Sequence, residues 1–99
     1  MKNFNIYILQ CNDESFYTGI AVDINKRIEQ HVRGKGSKYV RNKGFKNVYW
    51  ISQFSWNRSI ASKIEYTIKR LSAYDKQNIN KLCAIEYAYC KTNVNKYKI

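Results

Sequence analysis

Apolar residues recur along this chain in two different rhythms. Residues 4–11 (FNIYILQC) are dense in β-branched and aromatic side chains, the composition of a buried strand. Residues 12–15 are polar and read as a turn. Residues 16–22 (FYTGIAV) read as a second strand, so the two should pair as a hairpin. Gly19 stands inside that second strand, where glycine weakens pairing and often marks close approach by another backbone or a ligand. The period then lengthens. Asp23 is a candidate N-cap, and Ile24, Ile28 and Val32 recur every four residues as the buried stripe of a helix ending near Arg33. Residues 34–46 (GKGSKYVRNKGFK) carry no apolar period and read as a mobile basic loop with Tyr39 and Phe45 set among the charges. Residues 47–55 (NVYWISQFS) form a third predicted strand. Asn57 caps a second helix to about Leu71, with Ile60, Ala61, Ile64, Ile68 and Leu71 as its apolar arc. A third helical stretch starts near Asp75, with Ile79 and Leu82 as core positions. Residues 90–99 (CKTNVNKYKI) are a polar, basic tail that should be loosely held.

The predicted order is β-β-α-β-α-α: an α/β (α+β) fold with a small, three-stranded, mainly antiparallel sheet flanked by helices. Ninety-nine residues fit one domain, 1–99, and leave no room for two independent cores. Fifteen aromatic residues are enough to build a core and exclude a disordered tail. The three cysteines, Cys11, Cys83 and Cys90, are odd in number and form no CxxC or His/Cys cluster. Free thiols in a reducing compartment follow, and structural metal ligation does not. No leader-like apolar run opens the sequence and no stretch is long enough to span a bilayer, so an intracellular protein without a membrane partner is expected.

Charge changes the picture most. Eighteen Lys and Arg face seven acids, a formal +11. That excess repels itself, and a polyanionic partner is one reason to keep it. The plainer explanation is compositional bias, since Asn, Lys, Ile and Tyr are all abundant.

Four features bear on chemistry. Tyr7 and Tyr17 lie among apolar residues on the paired strands, where a hydroxyl needs a partner; ordinary β-propensity would also place them there. Arg27 and His31, four apart, share a helix face, and His31 is the sole histidine. Glu65 sits at the edge of an apolar arc, where a carboxylate needs a cation or a partner; Lys69, one turn on, is a ready ion pair. The segment around Lys35, Lys38, Tyr39, Arg41 and Lys43 mixes cations that grip phosphates with an aromatic that can stack on a base, or is a solvated loop. Together these side chains can bind a phosphate, hold Mg²⁺ through one carboxylate and accept a proton from water.

The order of these elements resembles the GIY-YIG nuclease domain family, most closely its short stand-alone members. The signature tripeptides stand as Asn5-Ile6-Tyr7 and Tyr17-Thr18-Gly19, Arg27 follows Tyr17 by ten residues, and Arg27 and His31 form an R-x-x-x-H pair. Glu65 falls in an A-x-x-x-E-x-x-I-K context (Ala61, Glu65, Ile68, Lys69). The likeness covers residues 4–83. It implies metal-dependent hydrolysis of a phosphodiester, with Mg²⁺ or Mn²⁺ on Glu65. Tyr7 would activate or position the attacking water, Tyr17 orient it, Arg27 stabilise charge on the phosphate, and His31 help remove the proton from Tyr7 or water. Gly19 would let the backbone pass close to the site. Lys35, Lys38, Tyr39, Arg41, Lys43 and Lys69 would bind the nucleic acid. Asn5 departs from the usual Gly, Thr18 from the usual Ile, and Ile20 stands where some members carry Lys. Gln77, Asn78 and Asn80 are all candidates for a polar residue that many members carry on a later helix.

The function expected is therefore a metal-dependent endonuclease with a DNA preference. No segment reads base edges, so branched, nicked, flapped or single-stranded DNA is the expected substrate, or a targeting partner supplies specificity. The alternatives are a non-catalytic nucleic-acid-binding module of the same fold and a protein-interaction domain in which Glu65 merely pairs with Lys69.

Overall fold

A computed structural model describes residues 2–97 of the chain. Strand β1 (Asn5–Cys11) is the centre of a three-stranded antiparallel sheet, flanked by β2 (Phe16–Ala21) and β3 (Phe45–Ile51) in the order β2-β1-β3. The hairpin register sets Tyr7 opposite Gly19 and Leu9 opposite Tyr17. On the other side, β1 pairs with β3 through two register shifts. β3 stops earlier than its sequence suggests because Ser52 leaves the strand pattern. Its hydroxyl accepts from the Ile6 amide at 3.0 Å and donates to the Phe54 carbonyl at 2.8 Å. The Asn5 side chain is used here: its Nδ2 donates to the Ser52 and Phe54 carbonyls at 3.3 Å each.

Among the described residues the helices are α1 (Ile24–Val32), α2 (Lys38–Lys43), α3 (Arg58–Lys69), α4 (Ala73–Lys76) and α5 (Ile79–Tyr97). Asp23 and Asn57 cap α1 and α3 as expected, accepting from the Lys26 and Ile60 amides. The supposed loop at 34–46 contains α2, started by the Ser37 hydroxyl accepting from the Tyr39 amide. Its pattern is nearly invisible, because only Val40 of six residues is buried. The order is thus β-β-α-α-β-α-α-α. Helix α5 runs through the stretch expected as a tail from Cys90; residues 98 and 99 lie outside the described residues.

Alternation on β1 divides the protein into two cores. Ile6 and Ile8 face α3 and α5, where they meet Phe16, Trp50, Trp56, Ala61, Ile64, Ile68 and Leu82. Tyr7, Leu9 and Cys11 face α1 and α2, with Ala21 and Val40. On α1 the buried line is Ile24, Ile28 and His31, not Val32, which is exposed. The reason is the helical period: two turns cover about 7.2 residues, so the position beneath Ile24 is 31. Ile79 is likewise exposed, while Leu82 is fully buried. Cys11, Cys83 and Cys90 are all free. No helix among the described residues is long and apolar enough to cross a membrane.

Candidate active site

Tyr7 is only 1% exposed, although it sits in the sheet's central strand next to the edge strand β2. Its ring lies across Gly19: a Cβ there would meet the Tyr7 hydroxyl at 2.6 Å and Cζ at 2.7 Å. Glycine is therefore what lets the phenol pass over β2 and present its oxygen at the sheet edge, between α1 and α3.

From α1, His31 meets it. The Tyr7 hydroxyl and His31 Nε2 are 2.9 Å apart, and both groups are buried. The other ring nitrogen, Nδ1, accepts from the Ser37 amide at 3.2 Å. Tyr17, one turn of the hairpin away, closes the cluster, with ring centroids 5.4 Å from His31 and 6.3 Å from Tyr7. Tyr39 of α2 stacks on Tyr17 at 6.0 Å. Arg27 donates to the Gln30 side chain at 3.0 Å and stands close enough to act on both Tyr7 and His31.

These neighbours set the proton affinities. Burial pushes the Tyr7 hydroxyl up to about 12, with Tyr17 and Glu65 adding to the rise and Arg27 opposing it. Burial also pulls His31 below the usual histidine range, and the Arg27 guanidinium pulls the same way. At neutral pH the resting site thus holds a neutral phenol and a neutral imidazole.

Glu65 is half-buried on α3 and bears electrostatically on Tyr7. Its protein partner is Lys69, at 3.3 Å from a largely exposed side chain, the i, i+4 pair that the sequence allowed. Among the described residues no group of three or more His, Cys, Asp or Glu could hold a metal. A single half-buried carboxylate with one exposed, displaceable partner suits Mg²⁺ or Mn²⁺, which keeps waters and takes further oxygens from a substrate phosphate.

Tyr7, Tyr17, Arg27, His31 and Glu65 are thus brought to one edge of the sheet, on four different elements. The expected nucleic-acid residues divide. Lys35, Lys38 and Arg41 make no ion pair among the described residues, whereas Lys43 is paired with Asp13 at 2.8 Å and Lys69 with Glu65. Tyr39 is engaged with Tyr17 and with Lys43, 5.3 Å over its ring. Two shallow cavities, about 240 and 210 Å³, adjoin along α1 and share Lys26 and Gln30. Arg27 lines the inner one; Arg33 and Lys35 line the outer one.

Gln77, Asn78 and Asn80 are exposed; the Asn78 side chain caps locally, accepting from the Lys81 amide, and the Gln77 backbone carbonyl accepts from the Tyr49 hydroxyl of β3. The buried polar group of α5 is instead Glu86, 3% exposed. Its carboxylate accepts from the Gln53 amide at 2.8 Å, the Phe54 amide at 3.0 Å and the Trp56 indole at 2.9 Å. The sequence reading missed it. The available signal was its place four residues after Leu82, on the core line of the helix.

The chain is similar to known proteins in three comparisons. The family model described as the GIY-YIG catalytic domain matches residues 3–80. A UPF0213 protein of Oceanobacillus iheyensis is 41% identical over 71 residues, 72% of this chain and 81% of its own. A putative GIY-YIG domain-containing protein of Invertebrate iridescent virus 6 is 35% identical over 85 residues, 86% of each chain. Among solved structures, the NMR structure of a UPF0213 protein of Bacillus halodurans is 36% identical, with a TM-score of 0.48, over 81% of this chain and 84% of its own.

Proposed function

This chain belongs to the GIY-YIG family, and from that premise we propose that it is a divalent-metal-dependent endonuclease acting on DNA by structure rather than by base sequence. Family membership supports an endonuclease-type function. The metal, the DNA preference and the residue roles are the proposal's own. The observation that carries it is the convergence of a buried Tyr7–His31 pair, Tyr17, Arg27 and the half-buried Glu65 at one sheet edge.

In this reading Glu65 would hold Mg²⁺ or Mn²⁺, which would supply positive charge to the site and favour deprotonation nearby. Arg27 faces the charge that builds on the phosphate oxygens as water adds. Tyr7, once ionised, takes a proton from that water as its oxygen bonds to phosphorus and the ester oxygen leaves. Ionising a phenol of pKa about 12 at pH 7 takes roughly 7 kcal/mol. That is why a positive group is needed beside it. Tyr17 orients the nucleophile.

The strand approaches along the paired cavities of α1. Lys26 and Lys35 are cations there without ion-pair partners among the described residues, while Arg33 is tied to Glu29 at 2.6 Å. Lys38 and Arg41 extend the positive surface onto α2. Among the described residues no element is set apart to read base edges, which favours branched, nicked or single-stranded DNA, or a targeting protein partner.

The test is cleavage of supercoiled and branched DNA with Mg²⁺, with Mn²⁺ and with EDTA, beside Glu65→Ala. Metal-dependent cleavage lost by about 10³-fold in the variant is the expected result. Salt-sensitive binding without turnover on any substrate would replace the enzyme by a binding module.

A further inference from the structure

We propose that the turn carrying Gly36 and Ser37 is a positioning device that fixes the tautomer of His31, making His31 the hydrogen-bond donor to Tyr7 and not the acceptor of its proton. As a statement about how Tyr7 works, it rests on the nuclease reading; as a statement about the imidazole, it stands by itself.

The argument is one of donors and acceptors. A neutral imidazole has one of each. A backbone N–H can only donate, and that of Ser37 points at Nδ1 from 3.2 Å. Nδ1 therefore carries the lone pair, and the ring proton is on Nε2. The partner of Nε2 is the Tyr7 oxygen at 2.9 Å, so Tyr7 accepts that bond. The hydroxyl's own proton is left pointing elsewhere, toward whatever enters at the sheet edge. An imidazolium would set an Nδ1–H against the Ser37 N–H. Tyr7 from β1 and Tyr17 from β2 face the ring without negative charge, and burial and cationic Arg27 from α1 itself disfavour an imidazolium.

Gly36 makes the arrangement possible. A Cβ at that position would meet His31 Cε1 at 2.8 Å and Cγ at 2.9 Å, so any other residue would push the turn off the ring. Ser37 is anchored at the same time, its hydroxyl holding the Tyr39 amide at 3.1 Å at the start of α2. α2 thus ties the ring's outer nitrogen in place.

In the reaction, the Tyr7 O–H bond breaks, its proton passes to solvent, and the electron pair stays on the oxygen. The Nε2–H of His31 remains in place and bonds to the phenolate. The phenolate then takes the proton of the attacking water. His31 gains no proton at any stage, contrary to the role expected from the family likeness.

Because the chain has one histidine, a long-range ¹H–¹⁵N correlation spectrum reads its tautomer without overlap. The protein should show Nε2–H at neutral pH. Ser37→Pro removes the donor while suiting the local backbone: φ at Ser37 is −61°, near the proline value, and the preceding residue has no Cβ to clash. Ser37→Ala is the matched control, which loses the cap but keeps the N–H. Ser37→Ala should keep the Nε2–H signature. Ser37→Pro should show both tautomers, with kcat lowered about tenfold and KM unchanged. If Ser37→Pro does not fold, Gly36→Ala, which displaces the turn, takes its place with the same expected signature. An Nδ1–H signature in the unaltered protein overturns the proposal, as does a single unchanged tautomer in the folded variant. The tautomer readout needs no turnover, so an inactive protein with the Nε2–H signature removes the nuclease reading and leaves the tautomer assignment.

Discussion

Neighbouring residues of β1 serve two quite different interiors. Ile6 and Ile8 enter an apolar core built from the sheet residues Phe16 and Trp50, from Trp56, and from the α3 and α5 side chains. Tyr7 enters a core where a hydroxyl, an imidazole and a guanidinium meet. The first side is held by area removed from water, which is non-directional and tolerant. The second is held by bonds that need particular atoms at particular places, so it requires Gly19 and Gly36 where ordinary side chains would collide. Burial is equal on the two sides, at 1% exposure for Tyr7 and 0% for Ile8. What differs is what burial is for.

Adjacent substitutions put that contrast to its strongest test. Tyr7→Phe should lower cleavage by about 10²–10⁴-fold, the range for a lost acid–base group, with a smaller stability loss of about 1 kcal/mol for the His31 N–H left without its acceptor. Ile8→Ala should do the reverse, costing about 2–5 kcal/mol of stability while the folded fraction keeps its turnover. Single-turnover cleavage and urea titration of both variants measure the two effects. Normal cleavage by Tyr7→Phe would dissolve the distinction between the faces.

Glu86 sharpens the contrast from the other side. It is as buried as His31, at 3% against 2%, and it is an acid. Yet its two oxygens take three donors from one loop and its edge, so it holds the segment between β3 and α3 and offers nothing to a ligand. Glu86→Ala should lower stability by roughly 3 kcal/mol through the unpaired donors it leaves, and should leave kcat of the folded protein alone. A fall in kcat with unchanged stability would make Glu86 part of the site.

The buried histidine should show itself in the pH dependence of stability. Its folded pKa lies below the unfolded value, because burial and Arg27 oppose the charged form. Above about pH 6.5 both states are neutral and its full contribution is present. As pH falls through that value the unfolded chain takes a proton that the folded protein refuses, so stability falls. One proton limits the slope to about 1.4 kcal/mol per pH unit. Urea midpoints between pH 7.5 and 5 should decline in the protein and flatten in His31→Gln. A midpoint that rises on acidification would mean that His31 gains a stabilising charge in the fold.

How much of this could be read from the sequence follows the range of the interactions. The hairpin, the Asp23 and Asn57 caps and the α3 arc rest on neighbours within a few residues, and all were legible. Tyr7, Tyr17, Arg27 and His31 converge because strand register and helical period are also short-range rules. What escaped were roles carried by the backbone or across distance. Ser37 acts on His31 through an N–H that nearly every residue type possesses, so nothing in its identity announces it. Glu86 meets amides more than thirty positions away. Helix α2 escaped because its short run buries one residue and leaves its cations outside.

Thr18 is the exception on the dry side, and the smallest predicted effect lies there. It sits between Phe16 and Ile20 on β2 and so shares their face, against the apolar core. It is 3% exposed, and its hydroxyl oxygen makes no hydrogen bond among the described residues. An orphaned hydroxyl opposes folding, and a methyl group of the same size would not. Thr18→Val should therefore stabilise the fold by about 1 kcal/mol, a rise in Tm of roughly 4–8 °C for a domain this small. Cleavage should not change, although both sequence neighbours, Tyr17 and Gly19, face the site. A loss of activity without a gain in stability would show that the hydroxyl has a partner in the working protein, and that the two faces of the sheet are not separate after all.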